Sequence, residues 1–120
     1  MVSTPVAVID IGSNSIKALI AVRDPEGGTR PLKVQSLDAR ISAGISQANP
    51  RLSEEGMQRG VEAIGALLAW SAEHRPAQVL LVATSAVRDA ENGDEFCDRV
   101  RVQTGHVVRI LTGEQEANYI

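Results

Sequence analysis

The sequence predicts an α/β layered domain on a mixed sheet, and three observations carry that expectation. Residues 5–11 and 15–23 are Val- and Ile-rich runs joined by Gly12-Ser13-Asn14. With a more polar third run over 32–40, they make an antiparallel three-strand meander. From residue 54 onward, segments of helical spacing alternate with short apolar runs, giving helix, strand, helix, strand.

Taken in order, the second strand ends at Asp24-Pro25-Glu26-Gly27-Gly28, a strong turn signal. Leu32 and Val34 share one alternating face of the third strand. A loop rich in Ser, Ala and Asn runs from Ser42 to Arg51. Ser53 then suits a helix N-cap, and Glu54 and Glu55 suit the positive end of the dipole. Met57, Val61, Ile64, Leu68 and Ala72 fall on one helical face, so the helix is expected over 54–74, with Pro76 ending it. Gly56, Gly60 and Gly65 each weaken it by roughly 1 kcal/mol relative to Ala. Val79-Leu80-Leu81-Val82-Ala83 reads as a strand buried on both faces. Asn92-Gly93-Asp94-Glu95 has the spacing of a capped helix start, and Gly105 is its stop. His106 to Leu111 is the last strand, and Thr112-Gly113-Glu114-Gln115 repeats the capping pattern. The expectation is one domain over residues 1–120, forming part of a longer protein.

Composition excludes several function classes. The chain has 120 residues, a net charge of −3 and only three aromatic residues, Trp70, Phe96 and Tyr119. It lacks the basic excess that neutralises a nucleic-acid backbone and the aromatic platforms that stack unpaired bases. A nucleic-acid duplex is therefore not an expected partner. Cys97 is the single cysteine, which leaves no intrachain disulfide and fits a reducing, cytoplasmic compartment. No signal peptide and no membrane span are expected. With two histidines and one cysteine at unrelated spacing, a structural zinc site is unsupported. There is no Walker-type loop, no dinucleotide glycine fingerprint and no His placed to activate a Ser nucleophile.

Three constellations carry chemistry. In the first, Asp10 lies among Val8, Ile9 and Ile11, just before Gly12-Ser13-Asn14-Ser15. The small residues alone describe a hairpin turn. The acid is what a turn does not need. A carboxylate at that place suits Mg²⁺, held largely through water. Backbone amides of Gly12 to Ser15, with the hydroxyls, suit a terminal phosphoryl group. In the second, Thr84-Ser85-Ala86-Val87-Arg88-Asp89 leaves the end of the buried strand, where α/β sheets form sites. Arg88 either clamps phosphate oxygens or pairs on the surface with Asp89 or Glu91. In the third, Glu114 and Glu116 follow Thr112-Gly113. They either complement the helix dipole or supply a base that orients a water attacking phosphorus. Spacing does not choose between those two glutamates.

Together, Ile9-Asp10-Ile11-Gly12-Ser13-Asn14-Ser15, Ala83-Thr84-Ser85-Ala86-Val87-Arg88-Asp89-Ala90-Glu91-Asn92 and Leu111-Thr112-Gly113-Glu114-Gln115-Glu116-Ala117 resemble one family. It is the exopolyphosphatase and guanosine pentaphosphate phosphohydrolase family, written Ppx/GppA. The resemblance implies an actin-like, ribonuclease-H-type fold and hydrolysis of the terminal phosphate of polyphosphate or guanosine pentaphosphate with Mg²⁺. It makes Gly12, Ser13, Asn14 and Ser15 the first phosphate loop, Asp10 the metal-side acid, Arg88 a phosphate contact and Glu116 the water-activating base. Gln115 stands where family members often carry a second Glu. Arg40-Ile41-Ser42-Ala43-Gly44 matches the family's Arg-Leu-Gly-Glu-Gly segment only loosely. The family's second phosphate loop and facing domain fall outside these 120 residues, so the chain alone is expected to be inactive. The flank that would pack on that domain makes a homodimer conceivable. The rival readings are a sensor that binds polyphosphate or an alarmone without turnover, and an ATP-using relative on the same fold.

Overall fold

The computed structural model describes residues 4–23, 27–43, 48 and 50–114. The expected turn residues Asp24, Pro25 and Glu26 and most of the loop around Gly44 lie outside them. Strands β1 (Pro5–Ile11), β2 (Ile16–Arg23) and β3 (Thr29–Leu37) form the antiparallel meander. Helix α1 (Glu54–Ala72) leads to β4 (Gln78–Ala83), and α2 (Ser85–Arg88) and α3 (Gly93–Thr104) lead to β5 (Val108–Ile110). The sheet order is β3-β2-β1-β4-β5, with β4 parallel to both β1 and β5. An α/β domain with a mixed sheet is what the alternation of periods predicts.

The core lies on one face of this sheet. Strand β1 alternates, with Ala7, Ile9 and Ile11 fully buried and Val8 and Asp10 half-buried between them. Ile9, Ile11, Ile16, Ala18, Leu81 and Ala83 meet Ile64 and Leu67 of α1 and Phe96 and Val100 of α3. Burying one such side chain stabilises by roughly 1.5–3 kcal/mol, so this cluster holds both helices to the sheet.

Several boundaries depart from expectation, each for a reason in packing. Strand β3 covers 29–37 rather than 32–40. Beyond Leu37 the chain stops pairing with β2 and crosses the β1–β2 turn instead, where Arg40 N–H donates to Asn14 O at 2.8 Å. Pairing passes from Ile20 with Lys33 to Ala21 with Pro31, leaving Leu32 as a bulge residue. Both Leu32 and Val34 are exposed, at 51% and 59%, so neither joins the core. Pro31 and Lys33 on this edge strand are the residue types that discourage pairing with a second sheet.

The buried stripe of α1 is rotated from Met57-Val61-Ile64-Leu68-Ala72 toward Gly56, Met57, Gly60, Ala63, Ile64, Leu67 and Ser71. The glycines cause this, because they let the helix approach closely. A Cβ on Gly60 would lie 2.8 Å from Ile41 Cγ2 and 2.9 Å from the Phe96 ring. Ser53 caps α1 as expected, accepting from Gly56 N–H at 2.9 Å. Asn92 does not cap α3 with its side chain. That amide is buried and grips the loop before α1 instead, accepting from Leu52 N–H at 2.8 Å and donating to Leu52 O at 2.9 Å. Gly105 ends α3 in the left-handed region at φ 79°, where glycine carries no steric penalty. Strand β4 is buried only in its second half, Leu81 to Ala83, because the three-residue β5 flanks only that end. Strand β5 is likewise shorter than the 106–111 expected.

Glycines that look alike in sequence should therefore differ in stability. Gly65 faces open space, so Gly65→Ala should raise the free energy of unfolding by up to about 1 kcal/mol through helix propensity. Gly60→Ala gains the same propensity but presses on the buried Phe96 ring, an overpacking cost of about 1–3 kcal/mol. Denaturant midpoints should move in opposite directions, and equal gains would refute the packing account.

Candidate functional site

Parallel strands β1, β4 and β5 end on one edge of the sheet. Ile11 is in register with Ala83, and Ala83 with Ile110. With adjacent strands about 4.8 Å apart, the residues that follow β1 and β5 are separated by about 10 Å. Three segments that are distant in sequence thus meet at one edge: Gly12–Ser15, Thr84–Arg88 and Leu111–Glu114. The carboxyl ends of strands are where open α/β sheets bind ligands.

The Gly12–Ser15 segment is a tight connection between antiparallel strands, and Gly12 N–H donates to Ser15 O at 3.1 Å. A Cβ on Gly12 would lie 2.9 Å from that same oxygen, so the turn closes only on glycine. More than a turn is built here. Asn14 O accepts from Arg40 N–H at 2.8 Å, and Ser13 O accepts from Ser42 N–H at 3.3 Å and Ser42 Oγ at 3.1 Å. In a planar trans peptide the N–H points opposite to its C=O. Carbonyls drawn toward Arg40 and Ser42 therefore turn the N–H groups of Asn14 and Ser15 to the other side.

Asp10 lies on the sheet face opposite the core, half-buried in β1. Its register neighbours are Lys17 on β2 and Val82 on β4, and Arg109 on β5 is level with Val82. A positive residue thus stands on each side of the acid along one row. Among the described residues no group of three His, Cys, Asp or Glu could hold a metal ion. A lone carboxylate does not make an all-protein cage. It does fit Mg²⁺, which keeps several waters and takes one or two carboxylates with substrate phosphates.

Arg88 ends α2, with its side chain 30% exposed. Its Nη1 donates to Leu111 O at 2.8 Å, and its Nε lies 3.5 Å from Asp89 Oδ1. Leu111 N–H donates to Ala83 O at 2.9 Å, which ties the end of β5 to the end of β4. The Asp89 pair expected of a surface arginine is present, yet the guanidinium also sits against Leu111. That places it where the third segment begins. Glu114 is exposed in the first turn after Thr112, while Gln115 and Glu116 lie outside the described residues.

Sequence reasoning missed the residues that hold the loop from behind. Ser42 touches it directly, and Arg59 reaches the same segment from α1, donating to Ala39 O and Arg40 O at 2.8 Å each. The loose Arg40–Gly44 match was the only signal for the first, and nothing in the chain signals the second. Cys97 has no place at this edge. Its thiol is pushed up to about 11, chiefly by burial and then by Asp94, so it is a neutral packing group rather than a nucleophile.

A sequence profile of the Ppx/GppA phosphatase family matches residues 19–120. The chain belongs to that family. It is 37% identical over 115 residues to a guanosine-5′-triphosphate,3′-diphosphate pyrophosphatase of Photobacterium profundum, covering 95% of this chain and 22% of the relative. The corresponding protein of Vibrio vulnificus is 35% identical over 112 residues, covering 92% and 22%. The chain thus spans about a fifth of the length of these curated relatives. Among solved structures, the Aquifex aeolicus Ppx/GppA family member superposes with a TM-score of 0.85 at 30% identity, over 97% of this chain and 37% of that one. An exopolyphosphatase from Cytophaga hutchinsonii gives 0.86 at 25% identity, over 98% and 37%. The fold is the actin-like α/β domain of Ppx/GppA proteins, as the motif resemblance implied. No helix among the described residues is long and apolar enough to cross a membrane.

The raised thiol gives a direct test. Alkylation of Cys97 by iodoacetamide in the folded protein should keep accelerating up to about pH 11. An unperturbed cysteine levels off above about pH 8.5, and a plateau there would contradict the buried, neutral assignment.

Proposed function

We propose that this chain is the N-terminal, phosphate-binding part of a phosphohydrolase that removes the terminal phosphate from polyphosphate or guanosine pentaphosphate. One observation carries the reading: the Ser13 and Asn14 carbonyls are tied back to Ser42 and Arg40, which turns the Asn14 and Ser15 amides to the opposite side of a loop that shares its sheet edge with Arg88 and the Leu111–Glu114 segment. Such an arrangement binds a multiply charged anion without any reorganisation of the backbone.

In this mechanism Ser13, Asn14 and Ser15 cradle the terminal phosphoryl group, while Gly12, whose N–H is committed to Ser15 O, closes the turn. Arg88 shares its negative charge, and its contact to Leu111 O holds the β4 and β5 ends at a fixed spacing. Glu116 orients and deprotonates the attacking water, with the proton passing to its carboxylate. Asp10 would be the protein residue holding Mg²⁺, and the bound ion would neutralise charge on the phosphate oxygens. Lys17 on β2 and Arg109 on β5 stand on either side of that carboxylate in the same row of the sheet. Residues 1–120 form one domain of this enzyme, and a facing domain supplies the remaining phosphate contacts. The lone cysteine fits a cytoplasmic enzyme. A homodimer would form through a surface other than the β3 edge, where Pro31 and Lys33 oppose pairing, and sedimentation of the whole protein tests for it.

Phosphate release by the whole protein, from each of the two substrates with and without Mg²⁺, tests the reading. Release from either one, abolished by chelation, is the expected outcome. Tight binding without release would instead make the protein a sensor, and activity on ATP alone would make it a nucleotide-using relative. Glu116→Gln in the whole protein should lower kcat by at least about 100-fold while leaving the thermal midpoint nearly unchanged, and near-normal turnover would rule out this base. The isolated 120 residues should release negligible phosphate.

A further inference from the structure

The Gly12–Ser15 loop is held from outside by residues 40 and 42, and that segment is held in turn by Arg59 of α1. Arg40 stands at φ 49°, the left-handed region, which costs a non-glycine residue about 1–2 kcal/mol. Only in that bent course does the 39–42 segment send Arg40 N–H to Asn14 O and Ser42 N–H to Ser13 O. The Arg40 side chain pairs with the Asp38 carboxylate at 3.5 Å, a contact between two side chains and not with the backbone of the turn. What does fix it comes from α1. Arg59 Nε donates to Ala39 O and Arg59 Nη2 to Arg40 O, both at 2.8 Å, so one planar fork spans two successive carbonyls. The helix is drawn close enough for this reach by Gly56, where a Cβ would lie 2.5 Å from Ile41 O.

We propose that Arg59 is a positioning residue for the phosphate loop, acting through the 39–42 segment to set the direction of the Asn14 and Ser15 amides. The inference rests on the phosphate-binding reading of Gly12–Ser15. Arg59 touches no substrate. Its two hydrogen bonds hold the left-handed turn, the turn holds the Ser13 and Asn14 carbonyls, and those carbonyls orient the opposite amides. Losing the fork releases the turn and lets the amide dipoles rotate away from the bound phosphate.

The test uses the whole protein, with phosphate release from polyphosphate as the readout and thermal unfolding as the control. Arg59→Met should raise KM about tenfold with kcat changed by less than about threefold, the size expected for one lost hydrogen bond to a charged group. Arg59→Lys keeps the charge but not the fork, and should raise KM about threefold. Arg99→Met is the comparison, because Arg99 grips the same helix through Glu54 with two 2.7 Å contacts yet reaches no part of the loop. It should leave KM unchanged even if its thermal midpoint falls as far as that of Arg59→Met. An unchanged KM in Arg59→Met, or equal KM effects in the Arg59 and Arg99 variants, overturns the positioning role while leaving the phosphohydrolase reading intact. Where Arg59→Met does not fold, an unchanged KM in Arg59→Lys overturns it. A wild-type protein that neither binds nor hydrolyses polyphosphate or guanosine pentaphosphate removes the reading and this inference together.

Discussion

Strand β1 is paired on both sides, and the strict alternation of its side chains fixes where everything else can go. Ala7, Ile9 and Ile11 face the helices, while Val8 and Asp10 face the other way. A slip of one residue would carry Asp10 into the apolar cluster and lift Ile9 and Ile11 out of it. An unpaired carboxylate there is far more costly than the roughly 1.5–3 kcal/mol each buried isoleucine contributes. The register is therefore locked from both directions. With it locked, Ile11, Ala83 and Ile110 come level, and three segments far apart in the chain end on one edge.

Around that edge, local turns are stabilised by distant partners. The Gly12–Ser15 turn is held by residues 40 and 42, and those by Arg59 on α1. On the other flank, Asn92 grips Leu52 through the oxygen and the nitrogen of its side-chain amide, and Glu91 N–H donates to Pro50 O at 2.7 Å. Arg88 bridges from α2 to Leu111. Each of these contacts pins a backbone carbonyl or amide that lies outside regular structure. A charged ligand needs fixed dipoles, and such contacts fix them before it arrives.

Much of the fold was legible because it follows local rules. Val and Ile runs gave β1 and β2, Ser53 gave the start of α1, and Gly105 gave the end of α3. The errors fall where a long-range contact overrides a local preference. Asn92 resembles a cap in sequence, but its amide satisfies a buried loop that no helix rule describes. The stripe on α1 rotates because Gly60 admits Phe96, whose approach depends on a helix more than thirty residues away. The third strand ends early because its last residues find better partners in the β1–β2 turn.

By itself, the sequence determined the type and order of the elements and the chemical character of the site. Period, caps and turn residues act over a few neighbouring positions, and an acid beside a Gly-Ser-Asn-Ser loop has the same chemistry in any fold. Only the tertiary structure decided that Asp10, Gly12–Ser15 and Arg88 share an edge, and that the Ser13 and Asn14 carbonyls are tied to Ser42 and Arg40. Strand register and the Arg59 fork produce those facts through contacts spanning about 20 to 70 residues of chain, and no local pattern encodes a direction across such a distance.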